Sequence, residues 1–313
     1  MLLNVIASVF VLLILSVILH DANNLTLGNT KSGLHESLIM RVRQKAEGRR
    51  VREEFQKDTF YNRIWYNIML YLLIFSVIVS VIIIFIEIKL SLKANKLYRQ
   101  GNKLFKQETE TSKIQTIEIF EQALRLYQKT NYQIWAAITL NNIGLVYNAL
   151  EEKQTALDYF NQSLDLFKKM QSVPGEAMTL NNIGLVYNAL EKKQTALDYF
   201  NQSLDLSQKI KDRQSVANTL YNLAVLKYYQ GKLNEALTKI ESAIKIIEEL
   251  NTQMIATNLP PSYFTTVQKY YQFYIDLLIK FHKRNPNQDY DIKANEVIEK
   301  LKNTQRNLTI IYP

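Results

Sequence analysis

Few residues in this chain could do chemistry. Cysteine is absent, and the three histidines, His20, His35 and His282, stand far apart with no HxxxH or HExxH frame. A thiolate nucleophile, a disulfide and a thiolate metal site are therefore excluded. No metal site and no cofactor is expected, and no glycine-rich phosphate loop occurs. Asp158 and Asp165, and again Asp198 and Asp205, are carboxylates seven residues apart. Two helical turns put each pair on one face. An acid/base pair is one reading and a solvated acidic face the favoured one. The chain is read as a non-enzyme with no catalytic residues and no small-molecule substrate.

Amides are the more informative group. Asn142, Asn182 and Asn222 recur at a spacing of 40, with Asn141, Asn181, Asn148 and Asn188 nearby. An amide side chain both donates and accepts hydrogen bonds. A ladder of them would hold the backbone of an extended peptide without reading its sequence closely. Copying of the segment accounts for the set between 141 and 188. It accounts poorly for Asn222, whose copy has diverged at Tyr221 and Ala224 yet keeps the asparagine. Asn142, Asn182, Asn222, Asn148 and Asn188 are the candidate partner-binding residues.

The elements that carry these residues are repeats. Residues 139–166 and 179–206 differ at one position of 28, Glu152 against Lys192, and a third copy follows at 219–246. A diverged copy at 94–129 keeps Phe120 and Leu124 in register, while its first half is offset by an inter-helix loop about three residues longer. Each copy reads as two helices. Leu140, Ile143, Tyr147 and Leu150 form one apolar stripe, and Ala156, Phe160, Leu164 and Phe167 another. Gly144 and Gly184 fall inside helices, where glycine costs about 1 kcal/mol relative to alanine. They point to close helix approach, with Ala156, Ala196 and Ala236 as small partners across it. Pro174-Gly175 marks a junction between repeats. One pair cannot bury its stripes alone, so neighbours must stack into a continuous core whose first helices line a concave face.

The pattern Leu180, Ile183-Gly184, Tyr187, Ala196 and Phe200 resembles the tetratricopeptide repeat over about 94–250, in roughly four copies. The forty-residue period and the missing proline at repeat ends depart from the usual repeat, and the longer helices resemble the repeat class of kinesin light chains and many bacterial regulatory proteins. The asparagines resemble the asparagine-lined groove of kinesin light chain repeats. Residues 261–303 resemble the last helical hairpin of the repeat region in cyanobacterial CHAT-domain proteins. The peptidase activity of that family does not carry over, because the chain has no cysteine and no following domain. Physically, residues 251–313 read as a cap, with Val267, Tyr271, Tyr274, Leu278 and Phe281 covering the end of the core. The fold class expected is all-α: a tetratricopeptide-type solenoid preceded by transmembrane helices.

The net charge is +9. Residues 1–93 hold 11 Lys/Arg against 7 Asp/Glu, the remainder 27 against 22. That spread suits anionic lipid heads near the membrane segments better than it suits nucleic acid, which is not an expected partner. Residues 64–86 are an uncharged apolar run of 23, long enough for the roughly 30 Å of a bilayer core. Trp65, Tyr66 and Tyr71 stand near one end as interface anchors, and the span is placed at 64–87. Residues 2–19 form a second run, so 1–20 reads as an uncleaved transmembrane helix or signal anchor. Residues 21–63 are a basic connector. Its stretch 41–57 holds seven basic and three acidic residues, either as a solvated helix or as an amphipathic helix lying on anionic lipid. The repeats are placed in the cytoplasm. Together these readings give a membrane-anchored scaffold that binds a protein or peptide partner in a concave groove. A regulatory or sensor arm of a CHAT-type peptidase system, or a non-functional repeat remnant, is the alternative.

Overall fold

The computed structural model describes residues 39–254 and 261–311. The apolar run at 2–19 lies outside them, as do residues 20–38 that follow it. By compactness the chain divides at Val79/Ser80.

Among the described residues every regular element is a helix. The first, α1, is Ile39–Phe105. It contains a stretch of mean hydropathy 3.1, none of it buried, which is a candidate membrane span by length and composition. From 45 to 63 its side chains are exposed. The helix runs unbroken through Ile64, so 45–57 continue the axis of the apolar stretch. At 1.5 Å per residue Arg49 stands about 22 Å along the axis from Ile64.

From Ser80 on, the last turns of α1 form a pair with α2 (Glu110–Lys129). Three more pairs follow: α3 (Gln133–Ala149) with α4 (Lys153–Lys169), α5 (Val173–Ala189) with α6 (Lys193–Lys209), and α7 (Arg213–Tyr229) with α8 (Leu233–Met254). A last pair, α9 (Pro261–Arg284) and α10 (Tyr290–Ile311), completes the described chain.

The forty-residue period is two twenty-residue units. Helices α3 to α7 each have 17 residues, and three residues join each to the next. The same turn recurs at each of the six joins from α2 to α8. Asn131, Glu151, Gln171, Glu191, Lys211 and Gly231 all take positive φ, between 55° and 76°. In each turn the residue after that one donates its N–H back five residues, as Glu152 does to Tyr147 and Lys192 to Tyr187. This is the Schellman closure, with a left-handed residue capping the last carbonyls. Because the turns within and between pairs are alike, each helix leaves its neighbour the same way, and the pairs stack in one repeating sense.

The interior glycines seat aromatic rings. A β-carbon on Gly144 would meet Phe160 ring atoms at 2.8 Å, and one on Gly184 would meet Phe200 at 2.7 Å. The expected partners Ala156 and Ala196 are fully buried beside them, but the ring four residues further along the second helix reaches over the glycine. Phe120, Phe160 and Phe200 are all 0% exposed. Each burial removes enough apolar surface to contribute about 2–3 kcal/mol. In the third copy Ala224 and Ile240, both fully buried, occupy the two positions. Pro174 sits in the first turn of α5 rather than in a loop. Proline is tolerated there because that N–H has no helical partner, and Gly175 lies against Phe167.

The diverged first copy differs in one respect from its sequence reading. Its join, 106–109, is one residue longer than the joins from α2 to α8. Most of the extra length is a further turn at the start of α2, a 20-residue helix capped by Thr109, whose hydroxyl accepts the Ser112 N–H at 3.1 Å. At the other end of the solenoid, Val267, Tyr270, Tyr271, Tyr274, Leu278 and Phe281 of α9 are buried in one cluster with Leu220 of α7 and Ile240 of α8.

Candidate binding cleft

The stacking register aligns the first helices of successive pairs, and the asparagine pairs tie them together. Asn182 donates its side-chain amide to Asn141 at 3.0 Å, and Asn222 donates to Asn181 at 2.9 Å. Asn142 donates to the Tyr98 hydroxyl at 2.8 Å. Tyr98 stands 43 residues before Asn141 and so fills its place in the offset first copy. The adjacent amides thus divide the work: one accepts from the next pair, and the other donates to the pair before. Asn141 is 1% exposed, whereas Asn142, Asn182 and Asn222 are half-buried. Each donor keeps its carbonyl oxygen and a second amide hydrogen.

A cleft of about 350 Å³ opens along this ladder between α5, α7 and α9. Asn181 and Asn182 of α5 and Asn218 and Asn222 of α7 supply its polar wall. Met178 and Leu185 supply apolar surface, and Lys269 of α9 its one charge. The lysine ammonium stands over the rings of Tyr221 and Tyr270, at 5.1 and 5.3 Å from their centroids. Those rings stack on each other at 4.5 Å. The Tyr270 hydroxyl donates to the Asn218 carbonyl oxygen. Lys269 as a whole is exposed, but partial loss of water around its ammonium pushes its pKa down.

Two of the five candidate residues, Asn182 and Asn222, therefore line the cleft. Asn142 occupies the equivalent place one pair earlier. Asn148 and Asn188 sit six residues further along their helices, turned well away from the ladder, at the helix ends. There Asn148 accepts from Lys153 at 2.9 Å, and the Asn188 carbonyl accepts the Glu191 N–H. Asn218 had a legible signal, since it lies one helical turn before Asn222 and forty residues after Met178. Lys269 had none, because α9 follows no forty-residue register. The four aspartates are exposed on α4 and α6 and none lines the cleft. Asp158 and Asp198 accept from Gln154 and Gln194 one turn earlier, at 3.2 and 3.0 Å.

Helix pairs, glycine-seated rings and a ladder of first helices define a tetratricopeptide-type solenoid. The tetratricopeptide repeat family model matches residues 114–169 and 175–249, so the repeats are tetratricopeptide repeats. No curated protein sequence matches the chain as a relative. Solved structures share the fold. Aspartyl phosphate phosphatase F from Bacillus subtilis aligns at 17% identity and TM-score 0.55, over 68% of this chain and 52% of that one. A Rap protein complexed with Competence and Sporulation Factor aligns at 20% identity and TM-score 0.56, over 69% and 55%. The chain thus spans about half the length of these two. BtubC from P. vanneervenii aligns at 15% identity and TM-score 0.47, over 72% and 94%. Tetratricopeptide repeats make the chain a protein–protein interaction scaffold.

Proposed function

We propose that the chain is a membrane-tethered tetratricopeptide scaffold whose cleft, with Asn182 and Asn222 in its wall, holds an extended peptide segment of a protein partner. The observation that carries this is the ladder itself. It leaves each of these asparagines one acceptor and one donor at the cleft, the pair a peptide backbone needs. A solenoid of this fold has been solved complexed with Competence and Sporulation Factor, which supports a peptide ligand in kind. A span at 64–86, exposed and apolar, supports the tether, which raises the local concentration of a bound partner at the bilayer.

The test separates binding from folding by cutting one hydrogen bond from its two ends. Asn141→Ala removes the acceptor of Asn182 at a buried site outside the cleft. Asn182→Ala removes the same bond and a cleft group. Both are expected to lower stability by about 1 kcal/mol, and only Asn182→Ala, or Asn182 and Asn222 changed together, to weaken capture of the native membrane partner. Equal capture by the two variants overturns the cleft assignment. For the tether, single cysteines replace the exposed Gln56 and Glu191 in a chain that has none of its own. In intact cells we expect an impermeant thiol reagent to label position 56 and to spare 191. Labelling of 191 places the repeats outside.

A further inference from the structure

We infer that the cleft selects peptides with an acidic side chain, whose carboxylate is taken by Lys269 together with the amide hydrogens of Asn181 and Asn218. This rests on the peptide reading above and adds the chemistry of the ligand.

The carbonyl oxygen of Asn218 accepts the Tyr270 hydroxyl. That of Asn181 accepts the Asn222 amide at 2.9 Å. An amide whose oxygen already accepts from the protein keeps both of its N–H hydrogens for a ligand. Both asparagines line the cleft, and so does Lys269, which has donors alone. No aspartate or glutamate is among the lining residues. Beside Lys269 the lining thus offers amide hydrogens and one positive charge with no carboxylate to oppose them, and a carboxylate is the peptide group that complements both.

The state of Lys269 points the same way. Among the described residues no carboxylate pairs with it, and its ammonium rests on two tyrosine faces instead. Its pKa is held down by partial desolvation, a cost that an arriving anion would offset. The same ring contacts limit where the ammonium can go, so little freedom is lost on binding. The cleft runs along the first helices of two successive pairs, with Asn182 and Asn222 in its wall, a length that suits a peptide passing through. The last helix pair is then more than a cover for the core, because it brings the one charge to the cleft.

The probes are fluorescein-labelled pools of capped peptides of about nine residues, some 30 Å when extended at roughly 3.3 Å per residue. Each pool is degenerate except for a fixed central Glu, Gln, Lys or phosphoserine. Anisotropy is read on the full chain in lipid nanodiscs. The Glu pool is expected to bind about tenfold more tightly than the Gln pool, as a charge-assisted contact should, and the gap to narrow with salt. Lys269→Gln should bring the Glu pool down to the level of the Gln pool measured on the same variant, while Lys269→Arg keeps most of the preference. Equal binding of the Glu and Gln pools, or a preference that survives Lys269→Gln in a variant with unaltered circular dichroism, overturns the inference. So does tighter binding of the phosphoserine pool, or binding of the same pools only when they are made with a free C-terminal carboxylate in place of the cap. Failure of the underlying peptide reading looks different: no pool binds, or Asn182→Ala with Asn222→Ala changes none of them.

Discussion

The ring of Phe200 lies so close to Gly184 that a β-carbon there would meet two of its carbons at 2.7 Å. Ring and glycine are parts of one fitted contact, repeated at Gly144 and Phe160. The third copy shows the other solution to the same space, with Ala224 and Ile240. Gly184→Ala alone is expected to destabilise the solenoid by about 1–3 kcal/mol through overpacking. Phe200→Ile alone leaves unfilled volume and should cost about 1 kcal/mol or more. The two together should cost less than their sum, since the methyl group fills what the ring vacates. Urea unfolding of the four proteins reads the coupling, and strict additivity would sink the account.

The turns make a second prediction, of opposite sign. Glu151, Gln171, Glu191 and Lys211 occupy left-handed backbone, which costs a residue with a β-carbon on the order of 1 kcal/mol. Gly231 fills the same position in the last such turn at φ 76° without that strain. Glu151→Gly and Glu191→Gly should each raise stability, by up to about 1 kcal/mol, and Gly231→Ala should lower it by a similar amount. Thermal melts that move the other way would show that these side chains contribute more than the strain they bear.

These two contacts mark how far the sequence could be read. The helix pairs, the forty-residue period and the burial of Phe160 and Phe200 follow from periodicity, because stripes of large residues have one geometry that hides them. The left-handed turns did not show themselves, because glycine stands at only one of six such positions and copying preserves glutamate as readily as a residue chosen for its backbone. The ladder was half legible. Spacing found Asn142, Asn182 and Asn222, but not that each spends a hydrogen on the neighbouring pair. Asn148 and Asn188 were drawn in by residue type alone, and six positions along a helix put them on another side. Lys269 depends on how α9 docks, a long-range contact that no local pattern encodes.

Two buried tyrosines give the fold a weakness toward alkali. Tyr127 is fully buried, donates its hydroxyl to Asn95 at 2.7 Å, and has its pKa pushed up to about 12. Burial is the main cause, with Tyr98 adding to it and Arg99 opposing. Tyr274 is likewise pushed to about 12, by burial first. In the unfolded chain both would ionise near 10. A folded pKa above the unfolded one means that the stabilisation is complete below pH 10 and is lost as pH rises from 10 toward 12. Stability measured by denaturant should therefore fall across that window. Tyr127→Phe should flatten the fall while costing about 1 kcal/mol at neutral pH for the lost hydrogen bond. An unchanged slope in that variant would remove Tyr127 from the explanation.

The near-identity of two copies and the identity of their turns imply that one whole unit can be taken out. Deleting 153–192 joins Glu152 to Lys193 across a turn that keeps its local sequence. It brings α6 against α3, so that Phe200 meets Gly144, the Ser203 hydroxyl reaches the Ala137 carbonyl as Ser163 does at 2.8 Å, and Asn222 finds Asn141. Deleting 193–232 removes the same length but sets Ile240 against Gly184, leaving space unfilled, and takes away Asn218 and Tyr221, on which α9 rests through Tyr270. Both variants lose one inter-pair interface, a term that adds per repeat in such solenoids. Only the second also loses packing at the new junction. The first should keep its helical signal per residue and melt cooperatively, and the second should melt lower by several degrees, at roughly 2–4 °C per kcal/mol for a domain of this size. Equal melting temperatures for the two deletions would mean that the seated ring and the docking of α9 contribute little, and that stacking of any helix pair on any other is enough.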